Sequence, residues 1–179
     1  MSIISQKICT IGNFAVGKTS LIRRFVESKF SDDYLSTVGV KISRKIIDLQ
    51  EPHQNKTDLK LQFLIWDIEG KTKFKGIAPS YLQGAKGAIV VADVTRQETI
   101  LNLQEHIDLF FSVNPKKTKI IVALNKSDLV EPERLKTIID TNQIIKDERI
   151  IATYITSAKT GNNVDEIFYK LAKNIIAER

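Results

Sequence analysis

The chain has 179 residues, with 27 Lys and Arg against 21 Asp and Glu, a net charge of +6, 42% hydrophobic residues and a single cysteine. This size and mix fit one domain over residues 1–179 with its own core, and exclude a disordered chain, a collagen, a coiled coil or an internal disulfide framework. The basic residues are scattered, the densest cluster being Lys116-Lys117 with Lys119, so charge supplies no nucleic-acid footprint.

Ile3 to Ile11 is a β-branched run and reads as a strand; Thr19 to Val26 carries apolar residues at helical spacing. Val40 to Leu49 and Leu59 to Trp66 alternate and predict two strands of a hairpin, separated by the polar stretch from Gln50 to Asp58. A buried-type strand over Gly87 to Asp93 precedes a helix over Gln97 to Ser112. Lys119 to Leu124 is a strand, a helix opens near Pro132, Ile150 to Ile155 is a strand, and Asn163 to Ala177 is the last helix. Asn162 or Asn163 is placed to cap it. Strands alternating with helices predict an α/β fold, a mostly parallel sheet with helices on both faces. No apolar run approaches the ~18 residues of a membrane span. The N-terminus lacks a signal-peptide pattern, residue 2 is Ser and the last residues carry no cysteine. The expectation is a cytoplasmic protein without lipid anchor or membrane span.

After the first strand, Gly12-Asn13-Phe14-Ala15-Val16-Gly17-Lys18-Thr19 fits G-x-x-x-x-G-K-[ST]. Glycines let successive backbone N–H groups wrap phosphate oxygens, Lys18 brings a point charge, and the Thr19 hydroxyl can ligate Mg²⁺. The helix that follows adds a favourable dipole. Further along, Asn125-Lys126-Ser127-Asp128 follows a strand. A carboxylate there can accept from the N1–H and exocyclic amine of guanine, a donor pair that adenine lacks. Ser157-Ala158-Lys159, at the next strand end, can offer a backbone N–H to the guanine O6. Strand C-terminal ends are where such sheets bind ligands. Trp66-Asp67-Ile68-Glu69-Gly70 ends the third strand: Asp67 can hold Mg²⁺ through water and Gly70 can give its N–H to a γ-phosphate. Thr37, in Tyr34-Leu35-Ser36-Thr37-Val38-Gly39, can close over the metal.

These motifs, in this order over nearly the whole chain, resemble the Ras superfamily of small GTPases, most of all its Rab branch. The resemblance implies a P-loop fold of six strands, one of them antiparallel, that binds Mg²⁺ with GTP or GDP and hydrolyses GTP, with two switch loops that order around the γ-phosphate. It implies that Lys18 contacts the β- and γ-phosphates and that Thr19 and Thr37 bind the metal, with Asp67 behind them. It also implies that Phe30 stacks on the guanine while Asn125, Lys126 and Asp128 frame it. The nucleotide set then comprises Gly12, Asn13, Phe14, Ala15, Val16, Gly17, Lys18, Thr19 and Ser20, with Phe30, Tyr34, Thr37, Asp67 and Gly70. At the base it adds Asn125, Lys126, Asp128, Ser157, Ala158 and Lys159. Partners are effector and regulator proteins at the switch loops, with no nucleic acid, and the protein is expected to be a monomer.

Three residues depart from that family's pattern. Lys71 stands where a water-orienting Gln is usual; an ammonium donates but cannot accept. The catalytic set is therefore Lys18, Thr37, Gly70 and Lys71, and hydrolysis is expected to be slow. Lys71 either pairs with the γ-phosphate or points to solvent. Glu69 stands where Ala is usual. A carboxylate ~5 Å from phosphate charge costs about 3 kcal/mol at an effective dielectric of ~20, unless Lys71 or Lys73 offsets it or it turns away. Phe14 stands where Gly or Ser is common and can crowd an arginine supplied by a partner. The alternative is a nucleotide-bound adaptor with negligible turnover.

Overall fold

The computed structural model describes residues 2–33, 36–49, 59–70, 78–115, 117–142 and 147–178. Strands β1 (Ser2–Gly12), β2 (Val40–Asp48), β3 (Leu59–Ile68), β4 (Gly87–Asp93), β5 (Lys119–Asn125) and β6 (Ile150–Ile155) form one sheet in the order β2-β3-β1-β4-β5-β6. The β2–β3 pair is antiparallel, from Val40 opposite Ile68 to Asp48 opposite Lys60, so the expected hairpin pairing is present. All other pairs are parallel. The polar stretch from Gln50 to Asp58 lies outside the described residues.

Alternation along β1 sends Ile4 and Ile8 to one face and Cys9 and Ile11 to the other, and each face has its own core. On the first face α1 (Lys18–Glu27) and α6 (Val164–Ala177) pack through Phe25 and Phe168, whose rings stack with centroids 4.0 Å apart. On the second lie α2 (Ala78–Leu82), α3 (Gln97–Leu101) and α4 (Leu103–Val113), contributing Leu82, Ile100, Leu103, Ile107 and Phe110. Helix α5 (Pro132–Asn142) lends Leu135 and Ile138 to its margin. Every residue of β4 is buried, as expected for an interior parallel strand.

The single helix expected over 97–112 is divided. Asn102 has ψ −3, far from the α-helical value, so the chain jogs between α3 and α4. Asn163 does stand at the start of α6 but makes no side-chain cap. It takes a left-handed conformation (φ 54), and its amide donates to the Ile155 carbonyl at 2.8 Å. Helix α2, five residues long, is too short for periodicity to reveal.

At the margin of the second core, the Lys7 ammonium lies 3.8 Å above the Trp66 ring and donates to the Gln83 carbonyl at 2.8 Å. Tyr81 stands 6.3 Å from the same ring. Because five strands run parallel, their C-terminal ends meet at one edge. Gly12 aligns there with Val91, Thr10 with Asp67, and Asp93 with Asn125. That edge carries the motif residues.

Candidate functional site

The loop from Gly12 to Gly17 joins β1 to α1. Gly17 has φ 99, and a Cβ there would fall 2.3 Å from Asn125 Nδ2, so no larger residue fits. Ala15 is also left-handed (φ 60), a conformation that costs a non-glycine residue about 1 kcal/mol. Cations hold the carbonyls on either side of its nitrogen and α-carbon. Arg96 Nη2 donates to the Phe14 carbonyl at 2.6 Å, and Lys126 Nζ to the Ala15 carbonyl at 2.8 Å. Both cations pair with the buried Asp93, Lys126 at 2.7 Å and Arg96 at 3.3 Å. Burial works against the Asp93 charge, but the bonds from Lys126 and Thr95 outweigh it and hold the carboxyl below the usual carboxylate range. Lys18, 6% exposed, donates to the Gly12 and Asn13 carbonyls at 3.0 and 2.7 Å. Burial pushes its ammonium down to about 8, with Asp67 opposing and Arg96 adding to the fall. An incoming phosphate would favour the charged form. His106 of α4, half-buried, meets Asn13 Oδ1 at 2.9 Å, and burial with the nearby Lys18 charge keeps it below the usual histidine value.

Three oxygens from three elements converge at the start of α1. Thr19 Oγ1 lies 2.8 Å from Thr37 Oγ1 and donates a short bond to Asp67 Oδ2, which also accepts from Thr37 at 3.4 Å. Asp67 is 1% exposed, and its Oδ1 is buried without a hydrogen-bond partner among the described residues. Burial pushes this carboxyl up, against the bonds from Thr19 and the charge of Lys18. Two hydroxyls and a carboxylate with a spare oxygen are hard donors that suit Mg²⁺. Gly70 approaches closely: a Cβ on it would lie 2.5 Å from the Phe14 nitrogen and 2.6 Å from the Asn13 carbonyl oxygen.

At the base end Asn125 is 1% exposed and bonds three protein partners. Its Nδ2 donates to the Val16 carbonyl at 3.0 Å, while its Oδ1 accepts from Thr156 Oγ1 and the Ala158 N–H, both at 3.2 Å. It ties three loops together and is not among the residues that line the cleft. Asp128 Oδ1 accepts from Ser157 Oγ at 2.6 Å, which orients the exposed carboxylate. The Ser157 N–H is spent on Asn162, the Ala158 N–H on Asn125. Arg24 of α1 holds that loop through the Ala158 carbonyl at 2.8 Å and the Lys159 carbonyl.

The profile of the Ras family matches residues 7–177. The chain belongs to the Ras family. It is 30% identical over 177 residues to Ras-related protein Rab-22A of Homo sapiens, covering 98% of this chain and 86% of that protein. To Ras-related protein SEC4 of Saccharomyces cerevisiae it is 34% identical over 170 residues, 95% of this chain and 74% of that protein. The same identity and length hold for Ras-related protein Rab-4B of Homo sapiens, over 76% of that protein. Membership makes this a GTP-binding switch of the small-GTPase type. No helix among the described residues is long and apolar enough to cross a membrane.

In this Ras-family chain the cleft is lined by Phe14, Ala15, Gly17, Lys18, Thr19, Ser20, Phe30, Thr37, Gly70 and Lys126, all named from sequence. It is lined as well by Arg23 and by Ser31, Asp32 and Asp33, which were not. Arg23 lies four residues after Thr19, one helical turn, a spacing that could have flagged it. Asp93 and Arg96 were missed too, although Asp93 closes β4 directly opposite Asn125. Asn13, Gly12 and Val16 act through their carbonyls or side chain toward Lys18, His106 and Asn125, behind the cleft wall. Tyr34, Lys71 and Lys73 lie outside the described residues.

Proposed function

We propose that this Ras-family protein is a single-domain, monomeric switch that binds Mg²⁺ with GTP or GDP, hydrolyses GTP slowly, and signals to effector and regulator proteins through the segments around Thr37 and Gly70. The observation that carries the reading is the meeting of Thr19 and Thr37 at Asp67 Oδ2, beside an Oδ1 that is buried without a partner among the described residues. A bound Mg²⁺ would neutralise phosphate charge there. The protein's own groups do the rest. Lys18 holds its charge at the inner end of the cleft, the N–H groups opening α1 face the phosphates, Gly70 stands beside Phe14 with its N–H free of side-chain bulk, and Asp128 reads the base. The test is to denature the purified protein and identify what it releases by chromatography. A guanine nucleotide is expected; an adenine nucleotide would sink the reading.

Thr19→Asn is expected to weaken Mg²⁺-dependent binding and to favour GDP over GTP, because a bulkier amide replaces a metal-ligating hydroxyl. An unchanged ratio of the two affinities would remove Thr19 from the metal set.

Slow turnover rests on Lys71 and on Phe14, which lines the cleft and whose backbone nitrogen stands close to Gly70. Lys71→Gln is expected to raise single-turnover hydrolysis about tenfold, since an amide both donates and accepts. No gain would favour the non-hydrolysing adaptor.

A further inference from the structure

Helix α1 carries two adjacent arginines, Arg23 and Arg24. Arg24 is spent on the protein: it donates to the Ala158 carbonyl at 2.8 Å and to the Lys159 carbonyl. Arg23 is half-buried and lines the cleft, and among the described residues no hydrogen bond or ion pair engages it. An arginine in the wall of a cleft, with its five donors unspent, is set to meet an acceptor that arrives with the ligand.

Which part of the ligand it meets follows from its place on the helix. Arg23 lies four residues after Thr19 and three after Ser20, so the three share one side of α1. Helical side chains lean back toward the N-terminus, so Arg23 covers the turn that holds Thr19 and Ser20. Thr19 belongs to the corner where it meets Thr37 and Asp67. The cleft wall also includes Phe30, assigned above to the guanine, and Ser31, Asp32 and Asp33 after it. Arg23 therefore stands between the corner suited to the outer phosphates and the end suited to the base. The two acids of this stretch are engaged elsewhere: Asp32 pairs with Lys159 at 3.7 Å, and Asp33 accepts from Ser31 Oγ at 3.2 Å.

We propose that Arg23 binds the phosphate nearest the ribose and is a nucleotide-affinity residue of this chain. The proposal rests on the guanine-nucleotide reading above. A planar guanidinium fork matches phosphate oxygens in a way that an ammonium does not. The phosphate nearest the ribose keeps its charge while the terminal bond breaks. Arg23 then holds ground state and transition state equally, and strengthens binding without raising the hydrolysis rate.

The experiment measures dissociation constants of GDP and GTP, with Mg²⁺ present, for wild type, Arg23→Gln, Arg23→Lys and Asp33→Asn. It adds the two diastereomers of GDP that carry sulfur on the phosphate next to the ribose. Arg23→Gln should weaken GDP and GTP about tenfold each, and Arg23→Lys, charged but unforked, about threefold. The loss should fall on the dissociation constants and not on the single-turnover rate constant at saturating GTP. Sulfur accepts more weakly than oxygen, so Arg23→Gln should cost less for at least one diastereomer than for GDP itself. A residue that only steadied α1 would not move that comparison. Unmoved dissociation constants in Arg23→Gln overturn the proposal, as does an equal cost for GDP and both diastereomers. So does a loss confined to GTP, which would put the guanidinium on the γ-phosphate. Equal weakening by Asp33→Asn, with no further loss in the double variant, also overturns it, since the two residues would then brace each other. A wild type that binds no guanine nucleotide overturns the functional reading, and this proposal with it; intact binding that is indifferent to Arg23 overturns the proposal alone.

Discussion

Asp128→Ala is expected to lower GTP affinity by about two orders of magnitude and to abolish most discrimination against ATP. The carboxylate is held in place by Ser157 Oγ at 2.6 Å, in the turn that follows β5. Guanine presents two donors on the edge that meets it. With alanine there, both donors lose a charged acceptor, and leaving such groups unmet costs about 3 kcal/mol. Adenine brings no such donor pair, so ATP binding should scarcely change and the two affinities should converge. Competition binding of GTP and ATP to both proteins measures this. A wild type that already binds ATP as well as GTP would remove the basis for assigning guanine.

Asn125→Ala is expected to cost about 3 kcal/mol of stability, because three buried partners lose their bonds together: the Val16 carbonyl, the Thr156 hydroxyl and the Ala158 N–H. For a domain of this size that corresponds to a fall in Tm of about 6–12 °C. Nucleotide affinity should fall as well, although Asn125 does not line the cleft, because the phosphate loop, the Asp128 turn and the loop at Ala158 are held to one another through this side chain. Thermal unfolding and GTP titration of the same variant separate the two effects. A Tm within 2 °C of wild type would show that water or local rearrangement replaces those bonds.

Much of this molecule could be read from its sequence, for physical reasons that differ by region. Glycine-demanding geometry leaves a strong signature, so Gly12, Gly17 and Lys18 could be placed from their spacing. Parallel strands with buried faces are apolar throughout, so β4 and β5 appear with nearly their true bounds. Side-chain direction is a different matter. Asn125 reads as a ligand of the base because Asn-Lys-x-Asp lies at a strand end; its bonds to three protein partners distant in sequence are not legible there. Asp93 and Arg96 carry no motif at all. They matter because the sheet order brings β4 next to β1, where the pair can brace the left-handed turn at Ala15. Glu69 reads as a repulsive charge near phosphate; only the β2–β3 register reveals the Gly39 N–H that its carboxylate accepts at 2.9 Å. Local pattern thus located the elements and the phosphate loop, and tertiary pairing decided what the polar side chains do.

The chain has one tryptophan, and it is Trp66. It precedes Asp67, lies opposite Ile42 in the ladder, and sits under the Lys7 ammonium within 6.3 Å of Tyr81. Tryptophan emission from this protein therefore arises at a single place, one peptide bond from Asp67, beside a charge and an aromatic neighbour that both influence it. Nucleotide exchange can be timed on the unmodified chain by exciting that indole, with no label attached to the nucleotide or the protein. Replacing Lys7 by methionine would shift the baseline signal without touching the cleft.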